Sequence, residues 1–360
     1  MPTGVHKPVD YTFRYWSFIM EKQKKSPVVR AIDLGWGYTK LSRKGRVVES
    51  DMDYMAFPSL APMHSGMGFD VPLFDQRDTV VVRVDGTSYE VGPDAADIDT
   101  NDASRNLNDQ FIHTEQYKAV FLGALHYIGE SEIDLLVVGL PLSNMRAAPK
   151  LKERMVGTHV LNAQETVVVK DALVLPQPFG GLSYCMSGQT GEEAFKNLDR
   201  EANLVVDPGF LTFDFLFSHG RKIIETRSSA YNGGVSKILR ALAEAISNKF
   251  GIQYSNLGAI DRALRDSRML KINGKEENLE EHIRNTRSIL EGSVNYMKNI
   301  VGDGSDIDNV LLMGGGAAIY QRTLAAFYPQ HTIRIVPEAQ FANVMGFQLV
   351  GEQFLNRAKA

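Results

Sequence analysis

The sequence predicts an α/β protein made of two similar halves, and three observations support that expectation. An apolar run leads into Asp33-Leu34-Gly35, and the same strand–Asp–x–Gly order returns at Leu204-Val205-Val206-Asp207-Pro208-Gly209, 174 residues later. Short apolar runs bounded by turn residues alternate with long helical patterns, the mark of layered α/β structure. The chain has 360 residues, more than the roughly 100–200 of a typical single domain, so a duplicated unit accounts for its length.

Taken in order, residues 28–32 are an apolar run into Asp33, followed by a Gly-rich turn and a second run over 41–48. Alternation on both sides and no helical period afterwards predict a β-hairpin. Residues 50–110 are rich in Pro, Gly and Asp and read as an insertion, with one strand pair, 79–84 and 88–91, joined by Asp85-Gly86-Thr87. Apolar residues at helical spacing (Tyr117, Val120, Phe121, Ala124, Leu125, Ile128) predict a helix over 114–128. Buried strands follow at 133–139, stopped by Pro141, and at 166–175, closed by Pro176 and Pro178. A helix is expected over 180–195. The second half opens with the repeated strand at 204–209, and strands at 211–217 and 222–227 follow. Helices over 235–250 and 279–300 flank a polar insertion at about 251–278. A buried strand at 309–313 runs into Gly314-Gly315-Gly316, and a last helix covers 340–357. The expected division is an N-terminal extension (1–27), a first domain (28–182), a second (183–340), and a C-terminal helix (341–360) returning to the first.

Composition narrows the function. Hydrophobic residues form 44% of the chain and charged residues 23%, a balance that excludes a disordered or collagen-like protein. A net charge of -4 argues against direct DNA or RNA binding. The single cysteine, Cys185, cannot form an internal disulfide and fits a reducing compartment. The eight histidines show no metal-ligand spacing. No apolar run approaches the roughly 18 residues of a membrane span. Arg14 interrupts the apolar segment 11–20, so it makes a poor signal sequence. Met20 would itself serve as a start, and residues 1–27 read equally as a loose extension or a start-site artefact.

Four constellations carry chemistry. In Asp33-Leu34-Gly35-Trp36-Gly37-Tyr38-Thr39-Lys40 a strand delivers a carboxylate, and the glycines let backbone N–H groups converge on a phosphate, with Lys40 as a point charge. Taken alone it also reads as a plain hairpin turn. It is neither a Walker A loop nor a dinucleotide fingerprint, because Lys40 takes the third glycine position and a strand follows where a helix is required. Asp207-Pro208-Gly209-Phe210-Leu211-Thr212-Phe213-Asp214 has the same grammar, and two such hairpins could clamp one polyphosphate from both sides. Asp33 and Asp207 suit Mg²⁺ held through its waters. The strand ending at Gly314-Gly315-Gly316 either approaches a flat ring or ribose closely or is an ordinary turn into a helix. Gln177, between Pro176 and Pro178, either orients an attacking water or is a polar loop residue.

Together these motifs resemble the actin, sugar-kinase and heat-shock-chaperone ATPase superfamily. Residues 33–40 are similar to its phosphate-1 motif, 177–181 to connect-1, 207–214 to phosphate-2 and 313–317 to the adenosine motif. Phe341-Ala342-Asn343-Val344-Met345-Gly346-Phe347 resembles connect-2 of the plasmid-segregation actin-like proteins (ParM/StbA type), and Val138-Gly139-Leu140-Pro141 resembles their Gly-Leu-Pro turn. The resemblance spans about 28–357. Trp36 is bulky for such a turn, and Pro208 removes an N–H donor. Gln177 stands where many relatives carry Glu, which favours water positioning over general-base catalysis.

The resemblance implies an actin-like, ribonuclease H-like duplicated two-domain fold with a nucleotide cleft holding ATP or ADP and Mg²⁺. Gly35, Trp36, Gly37, Tyr38, Thr39 and Lys40 would face Gly209, Phe210, Leu211 and Thr212 around the phosphates. Asp33 and Asp207 would bind the metal's water shell, and Gln177 would align the hydrolytic water. Gly233, Gly234, Gly314, Gly315 and Gly316 would border the nucleoside. Lys237 would reach the ring or ribose, or lie on a solvated helix face. The implied activity is ATP hydrolysis, or GTP hydrolysis, coupled to head-to-tail filaments that segregate plasmid DNA in the cytoplasm. A DNA-binding adaptor protein would link filament to cargo, with no direct nucleic-acid contact and no membrane. A metabolic small-molecule kinase, with Asp214 or an insertion residue recruited as base, and a non-segregation actin-like scaffold are the alternatives. A chaperone would need a long substrate-binding region after the ATPase.

Overall fold

The computed structural model describes residues 26–44, 52–66, 76–99, 111–266 and 268–357. The expected extension 1–27 lies outside these residues except for its last two positions, as do 45–48 of the first hairpin and parts of the 50–110 insertion.

The first half is built on a five-stranded sheet. Strands β1 (Val29–Leu34), β2 (Tyr38–Lys44) and β3 (Met52–Pro58) form an antiparallel meander. Strand β4 (Leu135–Leu140) lies parallel to β1, and β5 (Ala172–Pro176) lies parallel to β4, giving the order β5-β4-β1-β2-β3. The side-chain period of 2 divides the central strands between two cores. Ile32, Leu34, Leu136 and Val138 pack with helix α1 (Glu115–Ile128) on one face, while Val29, Ala31, Leu135 and Val137 face the other. Helix α1 begins where the Thr114 side chain accepts from Tyr117 N at 3.2 Å and ends at Gly129, in the left-handed region at φ 74°.

The second half repeats this plan after helix α2 (Gln177–Met186). Strands β6 (Ala202–Pro208), β7 (Phe213–His219) and β8 (Lys222–Ile223) form the meander, and β9 (Ser229–Tyr231) also pairs with β7. Helices α3 (Val235–Phe250), α4 (Leu257–Arg265) and α5 (Arg287–Val301) come next. Strand β10 (Asn309–Leu312) then lies parallel to β6, and after helix α6 (Ala317–Phe327) strand β11 (Ile333–Ile335) lies parallel to β10. Helix α7 (Ala342–Arg357) returns to the first sheet, placing Val344 and Phe347 against Val29, Ala31, Leu135 and Val137.

Several elements differ from the sequence expectation. The helix expected over 180–195 is α2, shifted to start at Gln177, because Pro176 and Pro178 suit a helix's first turn, where N–H groups have no partner. The strand expected over 166–175 is two: Thr166–Val169 joins a three-stranded sheet with Gly157–Val160, and β5 starts afresh after the polar Lys170-Asp171. The strand expected over 222–227 ends at Ile223 and passes into a 3-10 turn, Glu225–Arg227. The helix expected over 279–300 is interrupted by a 3-10 turn, Arg284–Thr286. Met52–Pro58, inside the expected first insertion, is an edge strand of the main sheet. The hairpin Val80–Val84 and Thr87–Val91 turns on Asp85 and Gly86, both at positive φ.

Helices α2 and α7 cross at backbone contact between the two sheets. A Cβ on Gly346 would lie 1.7 Å from the Gly180 carbonyl oxygen, and one on Gly180 would meet Asn343 O at 2.4 Å. Leu182 and Cys185 of α2 then pack with Val205, Leu216 and Leu311 of the second sheet. Replacing Gly346 by Ala should lower unfolding free energy by about 1–3 kcal/mol, the usual cost of forced overpacking, read from urea melts. An unchanged midpoint would mean the crossing relaxes freely.

Candidate functional site

The β1–β2 and β6–β7 turns open into one cleft between the halves. Asp33, Gly35, Trp36, Gly37, Tyr38 and Lys40 line it from the first half. Asp207, Gly209, Phe210, Thr212, Gly315 and Gly316 line it from the second, with Gln177 at the α2 start. Gly37 is needed where the turns meet, since a Cβ there would lie 2.6 Å from Phe210 Cβ. Trp36 is buried, its ring 6.3 Å from that of Phe111, so its bulk fills core behind the turn.

The carboxylates are held differently in the two halves. Asp33 sits directly across the ladder from Lys40, whose Nζ donates to Oδ2 at 3.0 Å. Gln177 Nε2 donates to Asp33 Oδ1 at 2.5 Å. Asp207 faces Asp214 at the equivalent register. Burial pushes Asp207 up to about 6, against the lowering influence of the Asn343 amide, which donates to Oδ2 at 2.7 Å, and of Lys40. Burial likewise pushes Asp214 up to about 7, although Thr212 bonds to it and Leu142 N donates to its Oδ1 at 3.0 Å.

Among the residues expected at the site, six do not appear in the cleft wall. Thr39 is fully buried, its hydroxyl 2.9 Å from that of Ser59, which donates to Gly35 O at 2.6 Å; it braces the turn from behind. The Leu211 side chain lies in the first-half core. Gly314 keeps room for Asp207, since a Cβ there would lie 2.0 Å from Oδ1 and φ is 80°. Gly233 and Gly234 are buried at the α3 start, and Gly234 N donates to Leu211 O at 2.9 Å. Lys237 is exposed, its ammonium 5.3 Å from the Tyr231 ring centre, which matches the solvated-face alternative. The expectation that all amides of 209–212 face phosphate also needs correction: Gly209 N donates to Thr212 O at 2.8 Å. The α3 N–H groups of Val235 and Ser236 are likewise taken up by Gly209 O and Phe210 O.

The cleft also contains residues that the motif reading did not place there as ligand-facing: Val235, Asp261, Arg265, Gln340 and Asn343. Asn343 lies in a quoted motif, and its pairing with Asp207 crosses 136 positions that no local pattern reports. Asp261 and Arg265 come from α4, inside a segment that the sequence marks only as polar.

The donor set fits a hydrated divalent cation. Both Asp33 oxygens already receive donors, so a metal would be met through its water shell, and a cation near Asp207 would offset the burial that raises its pKa. Among the described residues, no group of three or more His, Cys, Asp or Glu is placed to hold a metal directly. No helix of the described residues is long and apolar enough to cross a membrane.

Comparison with known proteins agrees with this architecture. Residues 31–180 match the family model of the N-terminal domain of actin-like proteins, and 205–326 match that of the C-terminal domain of the archaeal actin homologue, MreB-like. No curated protein matches the sequence significantly. Among solved structures, the archaeal actin homolog Ta0583 in complex with ADP is similar at TM-score 0.71 and 19% identity, covering 91% of this chain and 99% of that one. A 15-stranded ParM filament from Clostridium botulinum is similar at TM-score 0.70 and 17% identity, with coverages of 91% and 99%. The apo ParM protein of pSK41 gives TM-score 0.61 and 18% identity, with coverages of 92% and 99%.

Asn343→Ala should cost about 1–3 kcal/mol of stability, because it removes a donor from a buried carboxylate. Asn343→Asp should cost more, since it sets a further acid against Asp207. Urea unfolding of both variants checks the order, and a smaller loss for Asp than for Ala would show that Asp207 is held by other groups.

Proposed function

From the premise that the chain belongs to the actin-like superfamily, we propose that it is an ATPase whose nucleotide state controls head-to-tail filament assembly. The observation that carries this reading is the pairing of two equivalent Asp-bearing turns, with Lys40 and Gln177, around one cleft. The ADP-bound archaeal homolog of the same fold supports a nucleotide ligand. In this reading Lys40 binds the β/γ-phosphate oxygens, and Asp33 and Asp207 would hold Mg²⁺ through its waters, a cation that would screen phosphate charge. Gln177 leaves Asp33 to align the attacking water. Hydrolysis of this kind rests on positioning and electrostatics. Losing the terminal phosphate removes contacts between the halves, so the cleft can open by a hinge motion.

A filament follows when such a two-state body makes heterologous contacts that do not close into a ring. The ParM filament of the same fold supports that step, and the insertions at about 50–110 and 251–278 are the proposed contact surfaces. We place the protein in the cytoplasm, separating plasmid DNA through a DNA-binding adaptor, which suits the net charge of -4. A second reading, a cytoskeletal scaffold that moves no plasmid, is favoured by the MreB-like match of the second half. The kinase alternative has less support, because Asp214 is tied to Leu142 N and is absent from the cleft wall among the described residues.

Right-angle light scattering and negative-stain microscopy with ATP, ADP and no nucleotide test the assembly; filaments should depend on nucleotide. A monodisperse protein whose ATP turnover is stimulated by a sugar or alcohol would overturn the proposal. Asp207→Ala should abolish hydrolysis. Gln177→Ala should slow it about a hundredfold while nucleotide affinity survives, and collapse of binding instead would remove its water-positioning role.

A further inference from the structure

Helix α4 sends Arg265 across the mouth of the cleft to the opposite half. Its Nη2 donates to Tyr38 Oη at 2.5 Å, and the guanidinium carbon lies 4.4 Å from the Tyr38 ring centre. Asp261, one helical turn earlier, holds the same guanidinium at 3.0 Å and so aims it. All three side chains line the cleft. Tyr38 is the first residue of β2, immediately after the Gly37 turn that touches Phe210. Arg265 is fixed at its base, because Leu257, Ile260 and Ala263 anchor α4 in the second-half core.

We propose that Arg265 and Tyr38 form a latch that holds the cleft mouth closed and sets the rate at which ligand enters and leaves. The geometry suits a contact that opens and recloses. The Arg265 side chain keeps 29% of its surface exposed, so water can replace its hydrogen bond when the halves part. Stacking of a guanidinium on a phenol ring is favourable but modest at such a site. The cleft floor is of another kind, with a buried Asp207–Asn343 bond that has no such replacement. A strong floor with a weak mouth makes a hinge that opens from one side. The effect on exchange rests on the nucleotide reading of the cleft; the latch itself does not.

The test measures the mouth without ligand. Met63 and Met269 are exposed residues of opposite halves, 68% and 50% accessible. Met63→Cys and Met269→Cys would carry spin labels, while Cys185, fully buried with its thiol pushed up to about 12, stays unlabelled. Pulsed electron-spin distance measurement on the full chain should show a shift to longer, broader distances for Arg265→Ala. Tyr38→Phe, which keeps the ring and loses the bond, should shift in the same direction by less. Distances unchanged in both variants would overturn the latch. With a fluorescent ATP analogue, Arg265→Ala should quicken both association and release, each by about tenfold. Faster release with unchanged association would instead make Arg265 a direct ligand contact and also overturn it. A wild-type chain that binds no nucleotide would defeat the nucleotide reading, and the distance measurement would still decide the latch.

Discussion

Three carboxylates, Asp33, Asp207 and Asp214, are buried close to the junction of two sheets, and much of the molecule is arranged to tolerate them. A buried carboxylate is costly unless it is paired, bonded or protonated. Asp33 is paired with Lys40 across its own hairpin and bonded by Gln177 from α2. Asp207 is bonded by Asn343 from α7, whose own amide oxygen accepts from Gly181 N in α2 at 3.2 Å. The α2–α7 crossing is therefore more than packing: it places both amides under the cleft, and the glycines at 180, 181 and 346 let the helices come close enough to do so.

The duplication explains why the two sides differ. Lys40 and Asp214 occupy the same register position opposite their aspartates, seven residues along each hairpin. In the first half that position makes an ion pair; in the second it sets acid against acid, and burial raises both. One side of the cleft thus presents a positive charge, and the other presents Asp207, backed by a second buried acid and so gaining from a nearby cation. A magnesium polyphosphate has both complements, which is why the asymmetry supports the proposed ligand better than either hairpin does alone.

The parts of this arrangement visible in the sequence are those carried by short motifs, the two hairpins above all, with Gln177 and the Gly315-Gly316 turn. Asp33, the glycines and Lys40 lie within eight residues, and Asp207 repeats the pattern, so strand, turn and returning strand can be read locally. Contacts such as Asp207–Asn343 and Tyr38–Arg265 depend on how far-separated segments meet, and residue type alone does not announce them. Thr39 shows the opposite error: within the motif it looks ligand-facing, yet strand alternation turns it toward Ser59. Strand β11 is not legible in the sequence, because three residues with Arg334 at the centre carry too little pattern, and its pairing with β10 supplies the structure.

The same distinction between local and distant contacts bears on motion. Each sheet carries its own core, and α2 and α7 join them at a crossing where backbone meets backbone and where Leu182, Cys185 and Ala342 pack with Val205, Leu216 and Leu311. The glycine-paired crossing resists sliding, because a shift would drive Gly346 toward the Gly180 carbonyl, and its packed side chains tie the two halves together. A hinge motion pivoting on this crossing would leave the Asn343–Asp207 bond, made by α7 itself, near its pivot. It would strain the contact of Arg265 in α4 with Tyr38 at the start of β2, which joins the halves. The Asn343 amide therefore sits in a buried bond that packing holds, and the arginine sits at a contact that water can replace.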